Sequence, residues 1–509
     1  MRLPQMILVL FIDLFLLGSV FGQSPNGALS GQVIDSSGAA IVDAEILVEN
    51  YATGVQYAAR TNGDGLYLVP SLPPGVYRLQ VSKVGFKTLI KPDITLNVQD
   101  ALAINFTLPV GAISEIVTVQ AGAPLVNTES GSVGTVIDRQ FVQNLPLNGR
   151  SFNTLLQLTP GVVIAPVANG DSAGQFSVAG QRTDANYFTV DGVSANFGTL
   201  SGFPPGATGL GQTPAFTAIG GTSSLVSVEA LQEFRVDTSS SSAEFGRMPG
   251  GQVVLTTRSG TNELHGGLYE YFRNDVLDAN DWFANAAKSP RAPERHNDFG
   301  GFLGGALVKG KTFYFLSYEG ARLRLPQTTV IQVPSNAARK AASTEAAPYL
   351  ASYPLPDPNS PVSPDGGTAQ FTGTYSNSAT LNAGSVRIDH TFSSKLSIFG
   401  RYNEAPSETV DRVGSLNNVS FVNVNTRTLT GGLNQTFGDN IFNAVRANYS
   451  SQSSGESFVT DAFGGATPIL APQVLGSLPA TQNYGVFLTF DTQSYSLGPF
   501  SRNRTRQMI

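Results

Sequence analysis

In the second half of the chain, apolar side chains recur at every second position, over segments too short for a membrane helix. In 428–437, Leu429, Leu433 and Phe437 fall on one face of an extended chain and Thr430, Asn434 and Thr436 on the other. In 442–449, Val445, Ala447 and Tyr449 oppose Arg446 and Asn448, and in 384–392, Val386 and Ile388 oppose Arg387 and Asp389. Successive side chains of a strand point to opposite faces, so each segment predicts a strand with one apolar and one polar face. The segments 264–273, 299–308, 312–319 and 395–402 are further candidates. Apolar-out, polar-in alternation is what a transmembrane β-barrel requires. No segment is apolar over the roughly 20 residues that a spanning helix needs, so residence in a membrane has to be through strands. Tyr269, Tyr271, Tyr314 and Tyr318 are candidates for an aromatic girdle at the membrane interface.

Composition narrows the class. Charged residues make up 13% of the 509, and the chain holds 54 glycines, a profile of turns and extended segments. The net charge is −6 and no Lys/Arg run offers the phosphate-neutralising footprint of a nucleic-acid binder, so no nucleic-acid partner is expected. The absence of cysteine excludes disulfides, thiolate metal sites and a cysteine nucleophile. His265, His296 and His390 lie far apart without ligand spacing. No catalytic residue, metal site or cofactor is expected, and the chain does not read as an enzyme.

Residues 1–22 carry Arg2, an apolar run over 6–17 interrupted by Asp13, and a small residue at Gly22. That is the form of a cleaved secretory signal peptide. Next, 27–108 reads as short strands separated by turns at Ser36-Ser37-Gly38, Asn62-Gly63-Asp64-Gly65 and Pro73-Pro74-Gly75, which predicts a β-sandwich. Asn62 and Asp64 read either as turn formers or, less simply, as a calcium loop. Gly31-x-Val33-x-Asp35, 44–48, 62–67 and Leu72-x-x-Gly75-x-Tyr77 resemble the carboxypeptidase regulatory-like domain, a transthyretin-type sandwich that is an accessory module without catalytic residues. The run 115–119, EIVTV, alternates in a small-residue linker (109–120).

The stretch 228–260, VEALQEFRVDTSSSSAEFGRMPGGQVVLTTRSG, reads as a strand, a small-residue loop, a Gly-Gly turn and a second strand. Gly250 and Gly251 suit either a positive φ or close approach to another wall. Together with 177–196, SVAGQRTDANYFTVDGVSAN, it resembles the plug domain of TonB-dependent outer-membrane receptors. The resemblance rests on Gly180-Gln181-Arg182, Tyr187 to Gly192 ending in Asp191-Gly192, Glu229 to Val236, Glu244 to Gly246 with Gly250-Gly251, and Thr257 to Asn262. LPLNGRSFNTLLQLTPGV, 145–162, resembles the opening plug helices of the subgroup with the amino-terminal sandwich; Ser151 is a candidate cap for a helix with Phe152, Leu155, Leu156 and Leu158, and Asp138 for a short helix before it with Phe141 and Val142. A mobile loop is expected over 198–221.

The fold class is therefore mainly β: an amino-terminal transthyretin-like β-sandwich, an α+β plug domain (121–260), then part of a transmembrane antiparallel β-barrel (261–509). The resemblance implies an outer-membrane receptor or transporter for an extracellular ligand such as a siderophore, oligosaccharide or peptide. It also implies outer-membrane lipid around the barrel and a TonB-type periplasmic energising protein as partner. Glu115, Ile116, Val117, Thr118 and Val119 then match the TonB box by position; an ordinary linker strand is the alternative. Arg182, Asp191, Glu233, Arg235, Glu244 and Arg247 become candidates for a latch between plug and barrel wall, and Gly180, Gly192, Gly246, Gly250 and Gly251 its turn glycines. Asp184 and Glu229 read equally as solvated loop charges. A secreted or surface carbohydrate- or protein-binding sandwich without transport is the alternative function. Plugged transporters close with about 22 strands, more than the alternating segments supply, so a truncated receptor that forms no working pore alone is expected. Gly305 to Thr312 fits a phosphate-loop pattern, but Phe313-Tyr314-Phe315-Leu316 continues as a strand where that motif needs a helix.

Overall fold

The computed structural model describes residues 25–118, 131–144, 153–164, 176–198, 214–219, 221–241, 248–277, 279–280, 282–286, 291, 293–437, 441–469, 486–490 and 493–509. The leader read at 1–22, the cap at Ser151 and most of the 198–221 loop lie outside them.

The first domain packs two sheets. One contains β1 (Gly27–Asp35), β4 (Leu66–Leu72), β7 (Ala101–Ala103) and β8 (Phe106–Leu108). The other runs in the order β3 (Gln56–Arg60), β2 (Glu45–Asn50), β5 (Gly75–Ser82), β6 (Thr88–Leu96) and β9 (Ile116–Thr118). Alternate residues of each strand, including Leu29, Val33, Ile46, Val48, Tyr77, Leu79 and Val81, are buried between the sheets. The Asn62 side-chain oxygen accepts from the amides of Asp64 (3.0 Å) and Leu66 (2.9 Å), so it closes a turn.

The second domain has a five-stranded sheet ordered β10 (Val133–Ile137), β15 (Leu231–Ser239), β16 (Gln252–Thr257), β13 (Tyr187–Val190) and β14 (Val193–Ser194). Helices α1 (Arg139–Asn144) and α2 (Asn153–Leu156) and the ribbon of β11 (Val162–Ile164) with β12 (Phe176–Val178) complete it. Asp138 caps α1, its carboxylate accepting from the Phe141 amide at 3.0 Å. Every residue of β16 is buried, as expected of a strand covered on both faces. Phe188, Phe234, Val253 and Leu255 share the core with Phe315 from the third domain.

Among the described residues the third domain is a nine-stranded sheet, β17 (His265–Asn274), β18 (Arg295–Val308), β19 (Thr312–Pro334), β20 (Thr368–Ser393), β21 (Leu396–Arg412), β22 (Asn418–Phe437), β23 (Ile441–Thr460), then β25 (Gln493–Met508) and, outermost, β24 (Val486–Phe490). Neighbours are antiparallel. The turns at 309–311 and 394–395 are tight, and 335–367 at the opposite end is long. Gly310, with φ 70°, sits in the first of these turns, so the phosphate-loop match is a hairpin. Leu316, Val386, Ile388, Leu429 and Val445 are exposed on one face, whereas Phe313, Phe315, Thr430 and Asn448 are buried on the other.

Two expectations change. Tyr314 and Tyr318 share the outward row with Leu316, but Tyr269 and Tyr271 lie opposite Gly300 and Asp298, on the row of Phe302, which packs against the second domain. Period-two parity therefore removes Tyr269 and Tyr271 from any girdle. The strands are also much longer than read: β20 spans 26 residues and β19 spans 23.

Candidate functional site

The second domain meets the inner face of the long sheet through a buried polar network. The Asp191-Gly192 turn between β13 and β14 places Asp191 at φ 51° and Gly192 at φ 86°, and its carboxylate accepts from the Thr257 amide (3.0 Å) and hydroxyl (2.8 Å) at the end of β16. From β20, Arg387 donates to Asp191 at 3.0 Å and to the Thr257 hydroxyl at 2.7 Å. Its other nitrogen pairs with Asp389 at 2.8 Å, and Asp389 accepts from Ser259 at 2.7 Å. The guanidinium also lies 4.5 Å from the Phe399 ring centroid. The fork of arginine serves two carboxylates at once, which point charges such as lysine do less well.

Higher on the wall, Arg401 donates to the Leu225 carbonyl (2.7 Å), Asn403 to the Ser224 carbonyl (2.8 Å) and Gln452 to the Phe216 carbonyl (2.9 Å). Arg258, just after β16, stacks over Phe302 and Phe315 at 4.4 and 4.7 Å. Main-chain carbonyls of a loop thus find barrel-side donors where water is excluded, which buried carbonyls require.

A second seam joins the first domain to the second. Glu233 is buried and accepts from the Val98 amide. Burial, offset in part by that hydrogen bond and reinforced by Asp100 and Asp138, pushes its pKa up to about 8. Arg235 binds Asp237 at 2.7 Å, Ser132 at 2.8 Å and, across the seam, Asp100 at 3.6 Å. Asn262 reaches the Thr53 carbonyl at 2.6 Å. Between the seams lies a cavity of about 240 Å³ bordered by Tyr57, Asp191, Phe313, Arg387 and Arg446.

Of the six latch candidates, Asp191 therefore reaches the sheet wall, while Glu233 and Arg235 reach the sandwich instead. Arg182 and Asp184 are exposed, and Glu244, Arg247 and Gly246 lie outside the described residues. Glu229 is not a solvated loop charge: it pairs with Arg139 inside the second domain. Gly180 takes φ 77° in a turn. Gly250 and Gly251 serve close approach, since a Cβ would come within 2.6 Å of the Ala185 carbonyl oxygen and 2.7 Å of the Val178 side chain. Glu115 to Thr118 lie on the sandwich edge and Val119 falls outside the described residues. In the sequence Arg387 and Asp389 fall on a polar strand face and Thr257 opens the Thr257 to Asn262 motif, but no local pattern pairs them; Arg401 and Asn403 carry no motif. Among the described residues no group of three or more His, Asp or Glu side chains is placed to hold a metal.

Three family models match: a carboxypeptidase regulatory-like domain at 28–109, a TonB-dependent receptor plug domain at 126–252 and an outer membrane beta barrel domain at 256–349 and 341–508. The chain is 28% identical over 283 residues to the TonB-dependent transporter Oar of Myxococcus xanthus, covering 53% of this chain and 24% of that protein. The chain thus spans about a quarter of the length of this curated relative. Among solved structures, the outer membrane transporter YddB from Escherichia coli matches at 12% identity and a TM-score of 0.43, over 73% of this chain and 44% of that one. BauA, the ferric preacinetobactin receptor from Acinetobacter baumannii, matches at 13% and 0.36, over 68% and 50%.

Proposed function

We propose that this chain, which belongs to the TonB-dependent outer-membrane receptors with an amino-terminal carboxypeptidase regulatory-like domain, serves energised uptake of an extracellular ligand. Residues 1–22 direct export and are removed, 27–108 form the accessory sandwich, 121–260 the plug, and 261–509 barrel strands surrounded by outer-membrane lipid. A siderophore, oligosaccharide or peptide is captured on the long-loop side. A TonB-type protein then grips Glu115 to Val119 from the periplasm and loosens the plug, and no bond in the ligand is made or broken.

The observation that supports the reading best is the Asp191–Arg387 contact within its network, which fixes a separately folded wedge to the inner wall of membrane-type strands. A buried ion pair of this kind holds firmly yet opens completely once geometry is lost, because its strength depends on desolvation and alignment. The test is cellular: the protein should fractionate with outer membranes and cross-link to the TonB-type protein, and deletion of 115–119 should abolish that cross-link at unchanged protein level. Recovery in the soluble periplasm, or a cross-link that survives the deletion, would overturn the proposal.

A further inference from the structure

The segment that leaves the sandwich returns along its edge. The Lys87 amide donates to the Pro109 carbonyl at 2.9 Å, Gly111 to Gly85 at 3.1 Å, and the Thr88 amide to Glu115 at 2.9 Å. The Thr88 hydroxyl donates to the Ile113 carbonyl at 2.7 Å, and Lys87 pairs with Glu115 at 2.6 Å. β9 then lies parallel to β6, with Ile116 beside Thr88, Val117 beside Leu89 and Thr118 beside Ile90. Ile116 and Val117 remain 63% and 39% exposed, so main-chain pairing and one surface ion pair, rather than burial, hold the strand in place.

Such a hold is weak by construction. Each hydrogen bond exchanges for one with water, and an exposed ion pair contributes little. It is also of the same kind that a partner would use: a strand added to a sheet edge, tolerant of sequence because the main chain makes the join. Resting on the box reading above, we propose that the β6 edge stores residues 115–118, so that the sandwich and the TonB-type protein compete for one strand and engagement is a strand exchange. The accessory domain is then a regulator of coupling. Apparent affinity for the partner falls by the fraction of time the strand is stored, and whatever loosens the β6–β9 join raises it. The opposite case, a partner that adds to the outer edge of β9 while β9 stays on β6, makes no such demand.

The chain has no cysteine, which makes a reversible lock clean. Ile90→Cys with Thr118→Cys places one thiol on each strand at a directly paired, accessible position. The full chain is titrated with the purified periplasmic domain of the host's TonB-type protein, oxidised and reduced, while amide exchange is followed over 115–118. Strand exchange predicts slow exchange at 115–118 in the free chain, binding lost by tenfold or more on oxidation and regained on reduction, and several-fold tighter binding in Lys87→Glu. Equal binding of the oxidised and reduced forms overturns the inference, as does unprotected exchange at 115–118 in the free chain. Protection without binding in either redox form instead brings down the box reading, and the inference with it.

Discussion

Arg387 and Asp191 lie 196 residues apart in the chain and 3.0 Å apart in the fold. Asp191 is 2% exposed, so removing its arginine leaves a buried carboxylate with the Thr257 amide and hydroxyl as its remaining donors. Arg387→Leu should weaken the seat by about 3–5 kcal/mol. Because Asp191→Asn removes the buried charge that Arg387→Leu alone would strand, the two changes combined should cost less than the single changes added together, while the lost pairing with Asp389 is common to both Arg387 variants. The check is a double-mutant cycle read by urea melting of the membrane-extracted protein, with protease sensitivity of the plug as a second readout. Strict additivity would show that the two groups do not act as a pair.

The Glu233 carboxyl at the sandwich–plug seam should make docking pH-dependent. Its pKa is raised to about 8 in the docked state, from an ordinary value of 4.5. A group raised in this way keeps its proton in the docked form while the free form loses it. Docking is therefore strongest below about pH 4.5, weakens as pH rises, and levels off above about pH 8. The groups around it, Asp100 and Asp138, repel the ionised form, while Arg235 is already taken up by Asp237, Ser132 and Asp100. Glu233→Gln should flatten the profile while preserving an acceptor for the Val98 amide. Fluorescence transfer between labels on sandwich and plug from pH 5 to 9 measures it.

The strands were legible wherever their outward face is apolar. For β20 the alternation at 384–392 was visible because Val386 and Ile388 are outward and Arg387 and Asp389 inward. Its first half, TAQFTGTYSNSATLNA, alternates in the opposite phase: Thr, Gln and Ser take the row of Val386 and Ile388, while Ala369, Phe371, Ala379, Leu381 and Ala383 take the inward row of Arg387, so a search for apolar-out segments stops at Gly384 although the strand continues. The latch was legible only as residue types. Asp191, Glu233 and Arg235 all belong to the plug motif, yet which wall each meets depends on how the sandwich docks, and no local pattern encodes that. The Val98 amide that meets Glu233 is a main-chain group and leaves no trace in side-chain chemistry.

Gly250 should tolerate no side chain. A Cβ there meets the Ala185 carbonyl oxygen at 2.6 Å and its carbon at 2.8 Å, both backbone atoms that cannot rotate aside. Gly250→Ala should destabilise the plug by about 1–3 kcal/mol, the cost of overpacking. At Gly384 nothing lies within 4 Å of the added atom, so Gly384→Ala is the control and should be close to neutral. Denaturant midpoints of the two variants settle the comparison.

Finally, the long sheet has two edges that matter. Among the described residues β17 and β24 each pair on one side only. An unpaired row of amides and carbonyls is not tolerated in hydrocarbon, where water cannot satisfy it. The nine strands therefore need further strands, from more chain or from other copies, before they can stand in a bilayer. Reconstituted alone as a monomer, residues 1–509 should give no conductance steps in a planar bilayer, and the band on an unheated gel should not shift on boiling. A heat-modifiable monomer with steady conductance would mean that these strands close on themselves with a shear the present register does not have.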